Sequence, residues 1–385
     1  MIPFAQREEV RLTQALVRLE SSNPGTYEGA VTEFVQHWLQ DNTPAQVFLE
    51  QVAEGRSNVV ARLRGESQDH SLVYICHMDT VPVGDGWSHD PLAGEIQGDR
   101  LYGRGACDMK SGLAAALLAF RNIACRQQPL KYDFLMIATM DEEGIMTGAE
   151  QVVKDNLVDG KSYVLDAEPT NGEIQMSHKG KTWFILHTHG KTCHASTPQL
   201  GCDAIAAMAE VITGVRRRVA QLPIHPEMGP TTATFGTIQG GWNPYIVPDE
   251  CTATLDLRLV PPVTNEDSIA LLEEAIAEAL AAVPGARCDY TLTSRRPPIE
   301  KNDNSFLLKK LRSAVVAVTG AELPVTFFPG YTDTAVIAAL TGNRNCISFG
   351  PGSLEQAHRA DEFVPCEEIS RSVAVMTRLA EDILL

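Results

Sequence analysis

Leu72-Val73-Tyr74-Ile75-Cys76-His77-Met78-Asp79-Thr80 runs through five apolar residues and ends on an imidazole and a carboxylate two positions apart. An apolar run of this length predicts a strand buried on both faces. Residues two apart on a strand share a face, so His77 and Asp79 can point together. Working outward, Asn58–Leu63, Phe134–Thr139, Tyr163–Leu165 and Cys346–Phe349 are apolar runs of the same kind. Between two of them Ser111–Ile123 is an Ala/Leu-rich helical segment, Ala149–Lys154 opens another, and Phe4–Glu20 is a helix candidate ended by Ser21-Ser22-Asn23-Pro24. Strands alternating with helices predict an α/β sheet covered on both faces. Four of the five runs are followed at once by charged or glycine-rich clusters, and ligands of open α/β sheets sit beyond the carboxyl ends of strands.

Residues from about 179 to 295 follow another order. Strand-like Thr182–His189, helix-like Cys202–Val219, strand-like Thr231–Ile238 and Thr252–Leu259, helix-like Glu266–Ala282 and strand-like Ala286–Thr293 spell β-α-β-β-α-β. That is the ferredoxin-like signature. The first pattern resumes at Val325–Phe328, so the expectation is an α/β domain of residues 1–178 and 296–385 interrupted by a ferredoxin-like domain of residues 179–295. Its sheet edge or helices would suit pairing with a second copy.

The 385 residues are 44% hydrophobic and 21% charged, values of a globular protein able to bury a full core. The 32 Lys and Arg stand against 49 Asp and Glu, a formal net charge of −17 that repels phosphate backbones and anionic membranes. No nucleic-acid or membrane partner is expected. The nine cysteines are scattered without a C-x-x-C pair and read as free thiols. Residues 1–21 carry Arg7, Glu8, Glu9, Arg11 and Arg18 where a signal peptide would need an apolar core, and no 18-residue apolar run occurs. The expected location is the cytoplasm.

Five clusters could carry chemistry. In His77-Met78-Asp79-Thr80 the carboxylate can fix the imidazole tautomer while the other ring nitrogen binds a metal; an ordinary buried or surface histidine is the alternative. In Gly103–Gly112 the glycines let the backbone bend around an ion, and Asp108 offers two oxygens that can bridge two cations. Taken alone it reads equally as a glycine-rich helix start with Asp108 near the N-cap; the spacing of a P-loop is missing. Asp141-Glu142-Glu143-Gly144 sets three repelling carboxylates after an apolar strand. One could be a ligand and a neighbour the general base, or the turn is simply solvated. Glu168 in Asp166-Ala167-Glu168-Pro169-Thr170 and His358 at the end of Gly350–His358 complete the group. Two imidazoles and three carboxylates suit a pair of zinc-like ions about 3.5–4 Å apart.

In this order and combination the motifs resemble the M20 metallopeptidases, a family that includes acetylornithine deacetylase, succinyl-diaminopimelate desuccinylase and the glutamate carboxypeptidases. The resemblance spans essentially the whole chain. It implies a zinc-peptidase-like catalytic α/β domain with an inserted ferredoxin-like lid that forms a homodimer. It further implies that Asp108 bridges two divalent ions, zinc first with cobalt or manganese as alternatives. His77 and Glu168 would complete one ion, and Glu143 and His358 the other. Asp79 would orient His77, Glu142 would be the general base and acid of amide hydrolysis, and His194 in Gly190–Pro198 would stabilise the oxyanion at the partner subunit's site.

The form Asp108-Met109-Lys110-Ser111-Gly112 resembles the deacylase and carboxypeptidase branch, which implies a small N-acyl amino acid or short peptide as substrate. Arg258 resembles a lid arginine that accompanies recognition of a substrate carboxylate, a task suited to a bidentate guanidinium; pairing with Asp256 is the alternative. The chain departs from many members in Gly240–Pro248, where Tyr245 stands in place of an asparagine and Asn243 lies two residues earlier, before Pro244. Either Tyr245 replaces that hydrogen bond or the pocket takes a different acyl or leaving group. An aminoacyl dipeptidase and a catalytically silent ligand-binding relative are the competing readings.

Overall fold

The computed structural model describes residues 2–385. The strands are β1 Gln46–Ala53, β2 Arg56–Leu63, β3 Gly65–His77, β4 Glu95–Gln97, β5 Arg100–Tyr102, β6 Leu130–Thr139, β7 Tyr163–Asp166, β8 Ile174–His178, β9 Gly180–His189, β10 Thr232–Gly240, β11 Glu250–Leu259, β12 Arg287–Arg296, β13 Val325–Phe328, β14 Cys346–Ser348 and β15 Phe363–Pro365. The helices are α1 Glu8–Val17, α2 Gly29–Asn42, α3 Ser111–Ala124, α4 Thr147–Lys154, α5 Ala204–Val219, α6 Asn265–Ala282, α7 Phe306–Thr319, α8 Asp333–Thr341 and α9 Cys366–Leu384. The chain divides into two compact units, one running to Met176 and resuming at Lys301–Leu385, the other Ser177–Glu300.

The first unit is built on an eight-stranded mixed sheet in the order β1-β2-β6-β3-β7-β14-β8-β13. Its centre, β6-β3-β7-β14, is parallel. From β3 the chain passes to β6 on one side and then to β7 on the other, so the strand order reverses at β3. The crevice at the carboxyl ends of β3 and β7 is therefore where such a sheet binds ligands.

The central strands are buried on both faces, as parallel strands under helices must be. Leu72, Tyr74, Phe134, Met136 and Leu165 join α3, α7 and α9 in one core. Helix α3 is buried along Ser111–Phe120, which is why it is Ala/Leu-rich rather than amphipathic. A small sheet, β15-β5-β4, ties the segment after His358 to the segment before Asp108.

The second unit is a four-stranded antiparallel sheet, β10-β11-β9-β12, with α5 and α6 packed on it. With β9 as first strand this order is 4-1-3-2 read from β12, the ferredoxin-like arrangement. Alternation along β11 is strict: Cys251, Ala253, Leu255, Leu257 and Leu259 face the helices. Asp203 and Thr264 cap α5 and α6.

Two expectations are corrected. The helix expected over Phe4–Glu20 is a short turn, Phe4–Gln6, followed by α1. Arg7 is extended between them because its guanidinium is held by Glu367 and Ser370 and covers the Phe4 ring. Strand β3 begins seven residues before its apolar run, at Gly65, with a register shift between Ser67 and Ser71; that half is solvent-facing and carries no hydrophobic signal. All nine cysteines are free. Among the described residues no helix is long and apolar enough to cross a membrane.

Candidate metal centre

The site grows from three adjacent strand ends. His77 is the last residue of β3 and is 1% exposed. Its Nδ1 meets the backbone carbonyl of Asp79 at 2.8 Å, with Asp79 Oδ1 at 3.6 Å. Nε2 is thereby left to face Asp108 Oδ1 at 3.1 Å and Glu168 Oε1 at 3.7 Å. The Asp79 carboxylate accepts the backbone N–H groups of Glu142 and Glu143 and the Asn23 side-chain amide at 3.1, 3.2 and 2.8 Å. One buried carboxylate thus ties the end of β3 to the acidic turn after β6.

Asp108 sits in the irregular turn Ala106–Lys110 that leads into α3. Close approach of backbones makes this possible. A Cβ on Gly112 would lie 2.0 Å from the carbonyl oxygen of Ala167, and one on Gly350 would lie 2.1 Å from the same atom. Both segments press on the chain just before Glu168, a packing only glycine allows.

On the far side of Asp108, Oδ2 is 3.4 Å from His358 Nε2, which is also 3.1 Å from Glu143 Oε1. His358 is the open edge of the cluster, its side chain 51% exposed. Two overlapping triads, His77-Asp108-Glu143 and His77-Glu142-Glu168, have donor atoms within 4.8 Å of one another. The structure therefore brings His77, Asp79, Asp108, Glu142, Glu143, Glu168 and His358 together.

The electrostatics say what this set lacks. Burial pushes the Glu142, Glu143 and Glu168 carboxyls up, and neighbouring carboxylates add to it. Burial opposes charge on His77, yet Asp108 and Asp79 hold its pKa well above the usual imidazole range. Hydrogen bonds donated to the Asp108 and Glu143 carboxylates raise His358 to about 10. Burial would raise Asp108 as well, but its bonds to His358 and His77 leave it below the ordinary carboxylate range. Packed carboxylates that neutralise themselves only by holding protons on themselves and on two imidazoles are short of positive charge. Divalent cations supply it, and the mixed oxygen and nitrogen donors fit them.

Residues without a sequence signal surround the cluster. Asn23 bridges Asp79 and Asp141 at 2.8 and 3.0 Å. Asp141 has φ 68° and is met by Arg56 at 3.5 Å, whose guanidinium also grips Glu28 through two bonds. Asp333, at the start of α8, is buried and pushed to about 7 by burial while accepting the Thr139 hydroxyl at 2.5 Å. The only hint of Asn23 in the sequence is its place beside the helix-breaking Pro24.

The remaining candidates lie in the second unit. His194 is exposed; its Nδ1 meets the Ser196 hydroxyl at 2.8 Å and accepts the Ser196 N–H at 3.1 Å. Its loop is strapped to Gly240–Pro248 by Ala195 N–H to Tyr245 O at 3.0 Å and Val247 N–H to Cys193 O at 2.9 Å. Between these loops lies a cleft of about 650 Å³ lined by Ala195, Ile205, Trp242, Asn243, Ile246 and Pro248. The Asn243 Oδ1 is buried without a hydrogen-bond partner, and Tyr245 is 57% exposed. Arg258 Nε donates to Asp256 Oδ2 at 3.0 Å, and its guanidinium lies 5.8 Å from the centroid of the Trp183 ring.

Known proteins share both the sequence and the fold. The sequence profile of peptidase family M20/M25/M40 matches residues 73–382. The chain is 30% identical over 343 residues to an acetylornithine deacetylase of Vibrio cholerae serotype O1, covering 86% of each. It is 25% identical over 393 residues to a protein of Staphylococcus aureus strain N315 named "Probable succinyl-diaminopimelate desuccinylase", covering 94% of each. The M20 family metallo-carboxypeptidase Sso-CP2 of Sulfolobus solfataricus superimposes with a TM-score of 0.78 at 18% identity, over 98% of this chain and 99% of that one. The chain belongs to peptidase family M20/M25/M40 and is a hydrolase of amide bonds.

Proposed function

We propose that the protein is a dinuclear metal-dependent amidohydrolase of the deacylase or carboxypeptidase type, acting on a small N-acyl amino acid or short peptide. The observation that carries this reading is the two-sided environment of Asp108, with His77 Nε2 3.1 Å from one carboxylate oxygen and His358 Nε2 3.4 Å from the other. Each imidazole has a second carboxylate of its own, Glu168 and Glu143. Asp108, His77 and Glu168 would hold one divalent ion, and Asp108, Glu143 and His358 the other, with zinc preferred and cobalt or manganese acceptable to the same donors. When bound, such a pair lowers the pKa of water toward neutrality and polarises the amide carbonyl.

The chain's own residues do the rest. Glu142 is held by its backbone N–H on Asp79, and burial pushes its carboxyl well above the ordinary carboxylate range, the direction a general base and acid needs. A Glu142 carboxylate oxygen takes a proton from the attacking water as the water oxygen bonds to the amide carbon. The C–N bond then breaks as Glu142 passes that proton to the leaving nitrogen, giving an acid and an amine. The second unit serves as lid and dimerisation domain, and His194 of one copy completes the site of the other by donating to the oxyanion. Arg258 and the Asn243–Tyr245 loop would contact substrate. The free thiols fit a reducing, cytoplasmic setting.

The test is hydrolysis of N-acetyl, N-succinyl and N-formyl amino acids and of dipeptides by metal-stripped protein, before and after adding zinc, cobalt or manganese. Metal-restored cleavage of one group is expected and names the substrate class. Cleavage restricted to dipeptides with a free amino terminus would point to an aminoacyl dipeptidase. Two bound ions without turnover on any substrate would leave a ligand-binding relative.

A further inference from the structure

Glu362 has no part in the chemistry above, yet it accepts hydrogen bonds from the backbone of the turn that carries Asp108. It follows His358 by four positions and is 1% exposed. Its Oε1 accepts the backbone N–H groups of Cys107 and Asp108 at 2.8 and 3.1 Å. Its Oε2 accepts Arg104 Nη1 at 2.5 Å, and its backbone carbonyl accepts the Gly103 N–H at 2.9 Å. Arg104 is itself 3% exposed, donates to the Val83 carbonyl at 3.0 Å and stacks over Trp87. One carboxylate therefore grips the turn that presents Asp108 from the loop that presents His358.

The grip has a directional consequence. Asp108 leaves the helical conformation, with φ −117° and ψ 98°. Holding its N–H fixes the backbone from which the carboxylate projects. The Arg104 bond is charge-assisted from its donor end and is stronger than a neutral one. Asp79 does the equivalent for the other side of the centre, through the His77 ring and the N–H groups of Glu142 and Glu143. The His358 ring, by contrast, is held among the described residues by Glu143 and Asp108 alone, so its placement depends on the loop that carries it.

We propose that Glu362, locked by Arg104, is a positioning residue that sets the second of the two ion sites, holding Asp108 Oδ2 in register with His358 and Glu143. This rests on the dinuclear reading above. Residues that orient a ligand without touching the metal are worth about tenfold to a hundredfold in metal affinity, and here the effect falls on one site of two.

The experiment is a titration of metal-stripped protein with zinc, and with cobalt followed by its visible absorption, alongside the melting temperature of the metal-free protein. The variant is the double substitution Glu362→Leu with Arg104→Met, which leaves no buried charge unpaired. One of its two sites is expected to lose about tenfold to a hundredfold in affinity with the other unchanged. Turnover should return as metal concentration rises. Glu362→Gln, whose amide oxygen can still accept both N–H groups but whose NH2 cannot accept from Arg104, should lose less affinity than the double variant, at the same site. Equal weakening of both sites, or none at either, overturns the inference. A parent protein that binds a single ion overturns the dinuclear reading and this inference together, whereas two ions bound with the same affinities in parent and variant overturn this inference alone. If the double variant does not fold, Arg104→Met alone is read in the same way: a smaller loss confined to one of the two sites is expected, and no loss overturns the proposal.

Discussion

The candidate residues of the two units live in opposite surroundings. His77, Asp108, Glu142 and Glu168 are between 1% and 8% exposed, whereas Tyr245 is 57% exposed and His194 lies open on a loop. Charges taken out of water need every lone pair occupied or a counter-ion supplied, and the first unit meets this with Asp79, Asn23, Arg104 and Glu362. The second unit pays no such cost. Its loops are held by backbone hydrogen bonds, and the polar ends of His194 and Tyr245 keep their hydration. The difference teaches that a substitution in the first unit should disturb chemistry and fold together unless shape is conserved, while one in the second should touch function alone.

The largest expected effect tests the buried side. Glu142→Gln keeps the volume and the backbone bond to Asp79 while removing the base; kcat should fall about 10²–10⁴-fold, with metal content and melting temperature near those of the parent. Steady-state kinetics beside metal analysis decide it, and unchanged turnover would remove Glu142 from the mechanism.

On the open side, His194→Ala should lower kcat about 10²–10³-fold, the loss typical of one oxyanion donor, without a measurable change in stability. Mixing this variant with Glu142→Gln protein sharpens the comparison. Activity regained on subunit exchange would mean that the imidazole serves the other copy's site, and no recovery would confine it to its own chain.

Asn23→Ala addresses stability rather than chemistry. It removes the donor shared by Asp79 and Asp141 and should destabilise the protein by about 2–3 kcal/mol in denaturant titration. Tyr245→Phe on the open side should stay within about 0.5 kcal/mol. Similar values for the two would erase the contrast between the units.

A smaller effect than that of Asn23 lies in the first unit away from the site. Burial raises Glu50 from the ordinary 4.5 to about 7, against the Asn58 hydrogen bond that lowers it. The folded state therefore binds this proton more tightly than the unfolded chain. Stability from this group is complete below about pH 4.5 and lost as pH rises through about 7. Glu50→Gln should match the parent at low pH and exceed it above pH 7 by about 1 kcal/mol, partial hydration reducing the gain. A gain at low pH instead would contradict the sign.

Much of the fold was legible from local pattern. Runs such as Leu72–Cys76 and Phe134–Thr139 read as buried strands because β3 and β6 lie at the centre of the sheet, covered on both faces. Strand β1 and the outer half of β3 were missed because edge and solvent-facing strands carry alternating or polar residues without an apolar run. Residues whose chemistry is local, such as His77 and Asp79 two positions apart, could be paired by strand geometry alone.

Other partnerships had no such trace. Glu143 and His358 are 215 positions apart, and Glu362 meets Asp108 across 254. By itself the sequence determined the central strands and α3, the clusters of donors at their ends and the family, because hydrophobic period and motif order are properties of short stretches. Only the tertiary structure decided which oxygen of Asp108 faces which imidazole, and that Asn23 and Glu362 hold the centre. Those contacts depend on the order of strands in the sheet and on backbones meeting at Ala167, distances that no neighbouring residue encodes.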